Sequence, residues 1–260
     1  LFNPLAPRFG LAVIWAIGVS MLALAVLIQL PFRAILITGL AIVFGHNALD
    51  GLHFDGAWWW KMLHERGKVD LNGIRVAFAY PVLPWIGTMA LGYCFGSLYG
   101  KGYTPEVRRR MLIRLGVACG LLFVALRMVN AYGDPFPWSW QASPAFTALS
   151  FLNVQKYPPS LLYLLMTLGP AFLFLAWSEH VRGWLASALI VFGRVPFFYY
   201  ILHLYLIHAV AMVAAELTGF GWHSMVLSSM VNSSPELKGY GFSLPLVYVI
   251  WLGIVVALYP

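Results

Sequence analysis

Residues 192–208 read FGRVPFFYYILHLYLIH, and the apolar character continues to Ala215. One arginine, Arg194, and two histidines, His203 and His208, sit among aromatic and aliphatic side chains, with a break at Pro196. Ionisable groups facing lipid are expensive, whereas those lining a cavity are tolerated. The surroundings of this stretch therefore decide how the rest of the chain is read.

Composition identifies those surroundings. Of 260 residues, 61% are hydrophobic and 10% are charged, where soluble domains carry about 25% charged residues. Mean hydropathy is +0.80. Apolar runs recur at 11–30, 34–48, 80–100, 111–131, 158–178, 197–215 and 242–258. A helix needs about 20 apolar residues to cross a ~30 Å hydrocarbon core. The pattern predicts an all-α polytopic helical membrane bundle of about seven membrane segments, in one integral membrane domain over 1–260. The 34–48 segment is short, and the 197–215 segment is broken from the short run 184–192 at Gly193 to Pro196.

Sixteen Lys and Arg against nine Asp and Glu leave a net charge of +7. In a soluble chain that excess would point to nucleic acid. Here the basic residues lie between apolar runs, where they set topology and meet anionic lipid. The expected partner is the lipid bilayer, with no nucleic acid. The most positive short loop, 101–110, carries Lys101, Arg108, Arg109 and Arg110 against Glu106, which places it in the cytoplasm. Alternation then puts 51–79, 132–157 and 218–240 outside and the C-terminus inside. The opening LFNPLAPRFG has no charged segment followed by an apolar one, so no signal peptide is expected. Cys94 and Cys119 lie inside apolar runs and read as small core hydrophobes. In GAWWWKMLHERG (56–67), three tryptophans precede the charges, as in a short helix lying in the interface. Gly92 and Gly96 form a G-x-x-x-G spacing that permits close helix packing.

Several residues can carry chemistry. In GHNALD (45–50), His46 and Asp50 are four apart, which on an α-helix gives them one face. A carboxylate there orients an imidazole and raises its basicity, the arrangement of a general base. Asn47 adds an amide for a sugar hydroxyl or an oxyanion. The competing reading is a polar helix end facing water. His46, His53 and His64 with Asp50 and Asp55 match no compact zinc spacing, so no metal is expected. Tyr199 and His203 share one helix face, Tyr205 and His208 another. His203 and His208 lie roughly 140° apart around the helix, as on a helix in the middle of a bundle. Arg194 falls at the cytoplasmic mouth of its span, where it either meets an anionic group such as a donor phosphate or snorkels to headgroups. Arg127, deep in the 111–131 run, needs a partner, and Asp134 and Glu216 are the available carboxylates. Nucleophile-elbow, P-loop and dinucleotide-binding signatures are missing.

Three stretches, VIWAIGVSMLALA with GHNALDG, YPVLPWIGTMALGYCFG, and FGRVPFFYYILHLYLIH, together resemble bacterial membrane proteins related to heparan-alpha-glucosaminide N-acetyltransferase, within the wider transmembrane acyltransferase group. The resemblance runs from about Phe9 to Ala215. It implies a multi-pass protein of the inner membrane that moves an acetyl group from cytosolic acetyl-CoA, the co-substrate, to an amino sugar or glycan acceptor on the far side. It further implies that the family's N-terminal helices, with the catalytic His, precede this chain, which would then be the C-terminal part of a larger bundle. On that reading Arg194 faces the donor, Tyr199, His203 and His208 line a central cavity, and His46, Asn47 and Asp50 shape the acceptor side. An oligomer is compatible with it. The other classes left open are a transporter or permease for a small polar or lipid-linked solute, and a non-catalytic membrane subunit.

Overall fold

The computed structural model describes residues 8–71, 74–226 and 234–259. The opening LFNPLAP, read for a signal peptide, and the middle of the 218–240 loop lie outside them. All seven apolar runs are helical: α1 (Val13–Leu27), α2 (Phe32–Gly45), α4 (Leu83–Gly96), α5 (Pro105–Val129), α7 (Leu161–Ser178), α9 (Pro196–Leu217) and α10 (Leu244–Ala257), with the short α3 (Trp58–Leu63), α6 (Pro144–Leu152) and α8 (Trp184–Arg194) between them. Four segments among the described residues are long and apolar enough to cross a membrane: Phe32–Leu49, Pro105–Val129, Leu161–Ser178 and Pro196–Leu217. The chain is a helical membrane protein. Side chains such as Leu22 (71% exposed) and Leu121 (67%) stand free of the protein, as lipid-facing positions do.

The helix starts are written locally. Thr104, Ser143 and Ser160 accept backbone N–H groups of Val107, Phe146 and Tyr163, and Pro105 and Pro144 occupy first helical positions, where a missing N–H costs nothing. Asn130 ends α5 in the left-handed conformation, φ 58°, which asparagine tolerates.

The 51–79 connection departs from its reading. The expected tryptophan helix is present as α3, and a three-stranded sheet of order β1-β3-β2 flanks it, formed by β1 (Arg8–Leu11), β2 (Gly67–Leu71) and β3 (Ile74–Phe78). β1 runs parallel to β3, with Arg8 opposite Arg75, and β2 runs antiparallel, with Asp70 opposite Arg75. Opposite charges facing across a strand pair stabilise it. Such short, charged strands carry no hydropathy signal.

The chain divides into two compact units, one of residues 7–180 and one of the C-terminal residues from Val181. In the first, Val43 of α2, Phe123 of α5 and Leu161, Leu162, Leu164 and Leu165 of α7 form the main apolar core, and Ile35, Ala90 and Cys94 form a second. Glycines bring the helices together, though not the expected ones. A Cβ built on Gly87 would lie 2.6 Å from Ile42, and one on Gly39 2.8 Å from Leu91; Gly116 and Gly169 similarly join α5 to α7. Gly92 and Gly96 meet nothing within 4 Å among the described residues, so the close helix contacts seen there fall at other glycines. At one end of α5 and α7, Arg108 donates two hydrogen bonds to Glu179, at 2.5 and 2.7 Å, with its guanidinium 4.7 Å from the Tyr99 ring centre.

In the C-terminal unit, Ala215, Met225 and Leu237 form the buried cluster. Two polar faces predicted α9 to lie in the middle of a bundle. Ala215 is its buried residue, and the rest of α9 is not enclosed by its unit.

Candidate active site

The end of α2 sets the site. After Gly45 the chain tightens into a 3-10 turn, His46–Leu49. At three residues per turn, positions i and i+3 eclipse and i+4 rotates away. His46 and Asp50 lie within reach of each other, with ligand atoms no more than 4.8 Å apart, but make no hydrogen bond, and Asn47 faces Asp50. The Asn47 side-chain N–H donates to Asp50 Oδ2 at 2.8 Å. Its Oδ1 accepts the backbone N–H of Leu161, also at 2.8 Å.

Asp50 Oδ1 instead meets His64 Nε2 at 3.0 Å. His64 follows α3, and α3 is fixed on both sides. The Trp60 indole donates to Leu52 O at 2.9 Å, and the Val82 N–H donates to Met62 O at 2.9 Å. The Trp60 and His64 rings lie 5.2 Å apart. His64 is 3% exposed, and its Nδ1 has no partner among the described residues. His46 is 2% exposed, neither of its nitrogens is partnered, and its ring meets that of His64 edge-on at 5.8 Å. His64 is the residue the sequence reading did not place here as a base: it lies 14 positions from Asp50, and only the α3 fold brings it back.

A cleft of about 280 Å³ opens beside the pair, lined by Asp50, His64, Arg66, Gln155 and Tyr157 among others. Glu65 at its edge lies 3.4 Å from His53 and 3.7 Å from Lys61. Tyr80 donates to the Tyr157 hydroxyl at 3.1 Å. That bond, one from Lys156, and the nearby charges of Lys156 and Arg66 hold the Tyr157 phenol below the usual tyrosine range, and the same Tyr157 bond holds Lys156 above its own.

The far wall is the 132–160 segment, and two polar anchors, buried Arg127 and half-buried Asp134, shape it. Arg127, 1% exposed, donates to the carbonyls of Phe136, Ser150, Phe151 and Asn153 at 2.8–3.1 Å. Among the described residues no carboxylate pairs with it directly. Asp134, one expected partner, accepts from Phe136 N, Gln155 N and Ser160 Oγ, and Glu216, the other, accepts from Trp222 N. Four fixed carbonyl dipoles satisfy the guanidinium and hold the loop.

The remaining candidates belong to the C-terminal unit. Arg194 ends α8, where a cation complements the helix dipole, and α9 begins at Pro196. His203 Nδ1 lies 2.9 Å from Tyr199 O, and its ring stacks on that of Tyr199 at 5.3 Å. His208 lies five residues further along α9.

Apolar spanning helices, with a half-buried carboxylate against a buried imidazole at one end, mark a helical membrane protein and its candidate site. Residues 8–126 match the family model described as Heparan-alpha-glucosaminide N-acetyltransferase, catalytic. The matched stretch, which holds His46, Asn47, Asp50 and His64, is similar to that family. The 192–208 stretch lies beyond the match. Comparison with curated proteins and with solved structures found no match.

Proposed function

We propose that this chain carries out, or forms part of, transfer of an acetyl group from cytosolic acetyl-CoA to an amino sugar or glycan hydroxyl across the membrane. The observation that carries the reading is the Asp50–His64 pair in the family-matched segment. Asp50 fixes the imidazole with Nε2 as the protonated nitrogen and leaves Nδ1 as the basic one. That nitrogen takes the proton from the acceptor amine or hydroxyl as the acceptor attacks the thioester carbonyl. The C–S bond breaks, and coenzyme A leaves as thiolate to be protonated. Arg66 and the Tyr157 phenol, on the cleft wall, are placed for acceptor hydroxyls. Arg194, at the end of α8, is the donor-side contact for phosphate, with Tyr199, His203 and His208 along the next helix, α9. The basic 101–110 loop is taken as cytoplasmic from its positive charge, and the Arg108–Glu179 bond ties the helix ends opposite those that meet at Asn47 and Leu161.

The test is label transfer by the purified protein in vesicles. Acetyl label passes from acetyl-CoA to an amino sugar, and Asp50→Asn or His64→Ala lowers kcat by about 10²- to 10⁴-fold. Solute accumulation without modification would replace this reading with transport.

A further inference from the structure

The geometry points to a second use of the same residues: His46, Asp50 and His64 form a binding site for one divalent transition metal ion of the zinc type. One ligand atom from each of the three lies within 4.8 Å of the others. His64 Nε2 and Asp50 Oδ1 are 3.0 Å apart, close to the separation of two ligands on one zinc at bond lengths of about 2.0–2.2 Å. His46 then has to close by about an ångström, a side-chain rotation. Two imidazoles and a carboxylate are a zinc donor set that leaves a fourth position open.

Two further features favour an ion. Both histidines are buried, and three of their four ring nitrogens lack a protein partner. Buried polar groups left unpaired cost about 1–3 kcal/mol each, and this end of α2 holds three such ring nitrogens around a carboxylate. A metal engages one nitrogen of each ring. The carboxylate is also preset: Asn47, anchored by Leu161, holds Asp50 Oδ2 and leaves Oδ1 to the cluster. Ligand carboxylates and imidazoles oriented by such outer contacts are a recurrent feature of metal sites. The order His46, Asp50, His64 is not a compact zinc motif, because α3 supplies the third ligand from a distant position.

Metal binding does not depend on acyl transfer. Given that activity, an ion held by Asp50 and His64 removes the base, so the two states exclude each other.

The experiment uses the full chain, purified in detergent and stripped with chelator, titrated with Zn²⁺ and separately with Co²⁺. One ion binds per chain, and Co²⁺ gives the visible absorption of imidazole coordination. Asn47→Ala weakens binding about 10- to 100-fold, His46→Ala weakens it further, and His53→Ala, outside the cluster, leaves it unchanged. A featureless cobalt spectrum of the unaltered protein overturns the site whatever the variants do, as does zinc affinity retained by His46→Ala. Because binding is read directly, failure here is distinct from failure of label transfer.

Discussion

The side-chain carbonyl of Asn47 accepts the backbone N–H of Leu161 across 114 positions of sequence, and the amide of the same residue donates to Asp50. One side chain thus joins the start of α7 to the acid of the candidate site. Asn47→Ala strands a buried N–H at Leu161 and frees the Asp50 carboxylate. It should cost about 1–3 kcal/mol, seen as a lower unfolding midpoint in detergent, and should lower label transfer as well. A variant with wild-type stability would show that the bond contributes nothing.

Arg127 is satisfied by carbonyls alone, so lysine cannot replace it: one ammonium cannot reach four acceptors in a planar fan. Arg127→Lys should lose more than about 3 kcal/mol, and proteases should cut between residues 132 and 160 in the variant first. Equal cleavage of both proteins would remove Arg127 as the anchor of that loop.

Gly87 and Gly92 separate packing from spacing. Gly87→Val drives a methyl into Ile42 and should destabilise by about 1–3 kcal/mol. Gly92→Ala meets open space and should gain about 0.5–1 kcal/mol from helix propensity. The opposite ranking in thermal unfolding would return the seam to Gly92 and Gly96.

Arg194→Ala tests the donor side. Loss of a charge-assisted contact to phosphate should raise the KM for acetyl-CoA about tenfold with a smaller fall in kcat. Unchanged kinetics in a folded variant would leave Arg194 as a helix-end cation only.

The seven long apolar helices were legible in the sequence because hydropathy reports burial from water at every turn, whereas α6, within the 132–157 stretch read as an outer loop, was not. The sheet was not, since GKVDL and IRVAF are five-residue strands with charges at the positions that pair. The site was half legible. GHNALD announced Asp50 and Asn47, but α-helical spacing assigned His46 as the partner of Asp50, and the 3-10 turn gave that place to His64. Arg127 stood out as buried and charged, while its partners, being backbone, have no residue type to read.

The parallel pairing of Arg8–Leu11 with Arg75–Phe78 also orders events during synthesis. The sheet cannot close until Phe78 has left the ribosome, by which time α1 and α2 have already been made. Asp50 and His64 are therefore both delivered before the sheet can close. Cysteine pairs placed on β1 and β3 should cross-link only in nascent chains longer than this point. Cross-linking in shorter chains would mean the N-terminal strand finds another partner first.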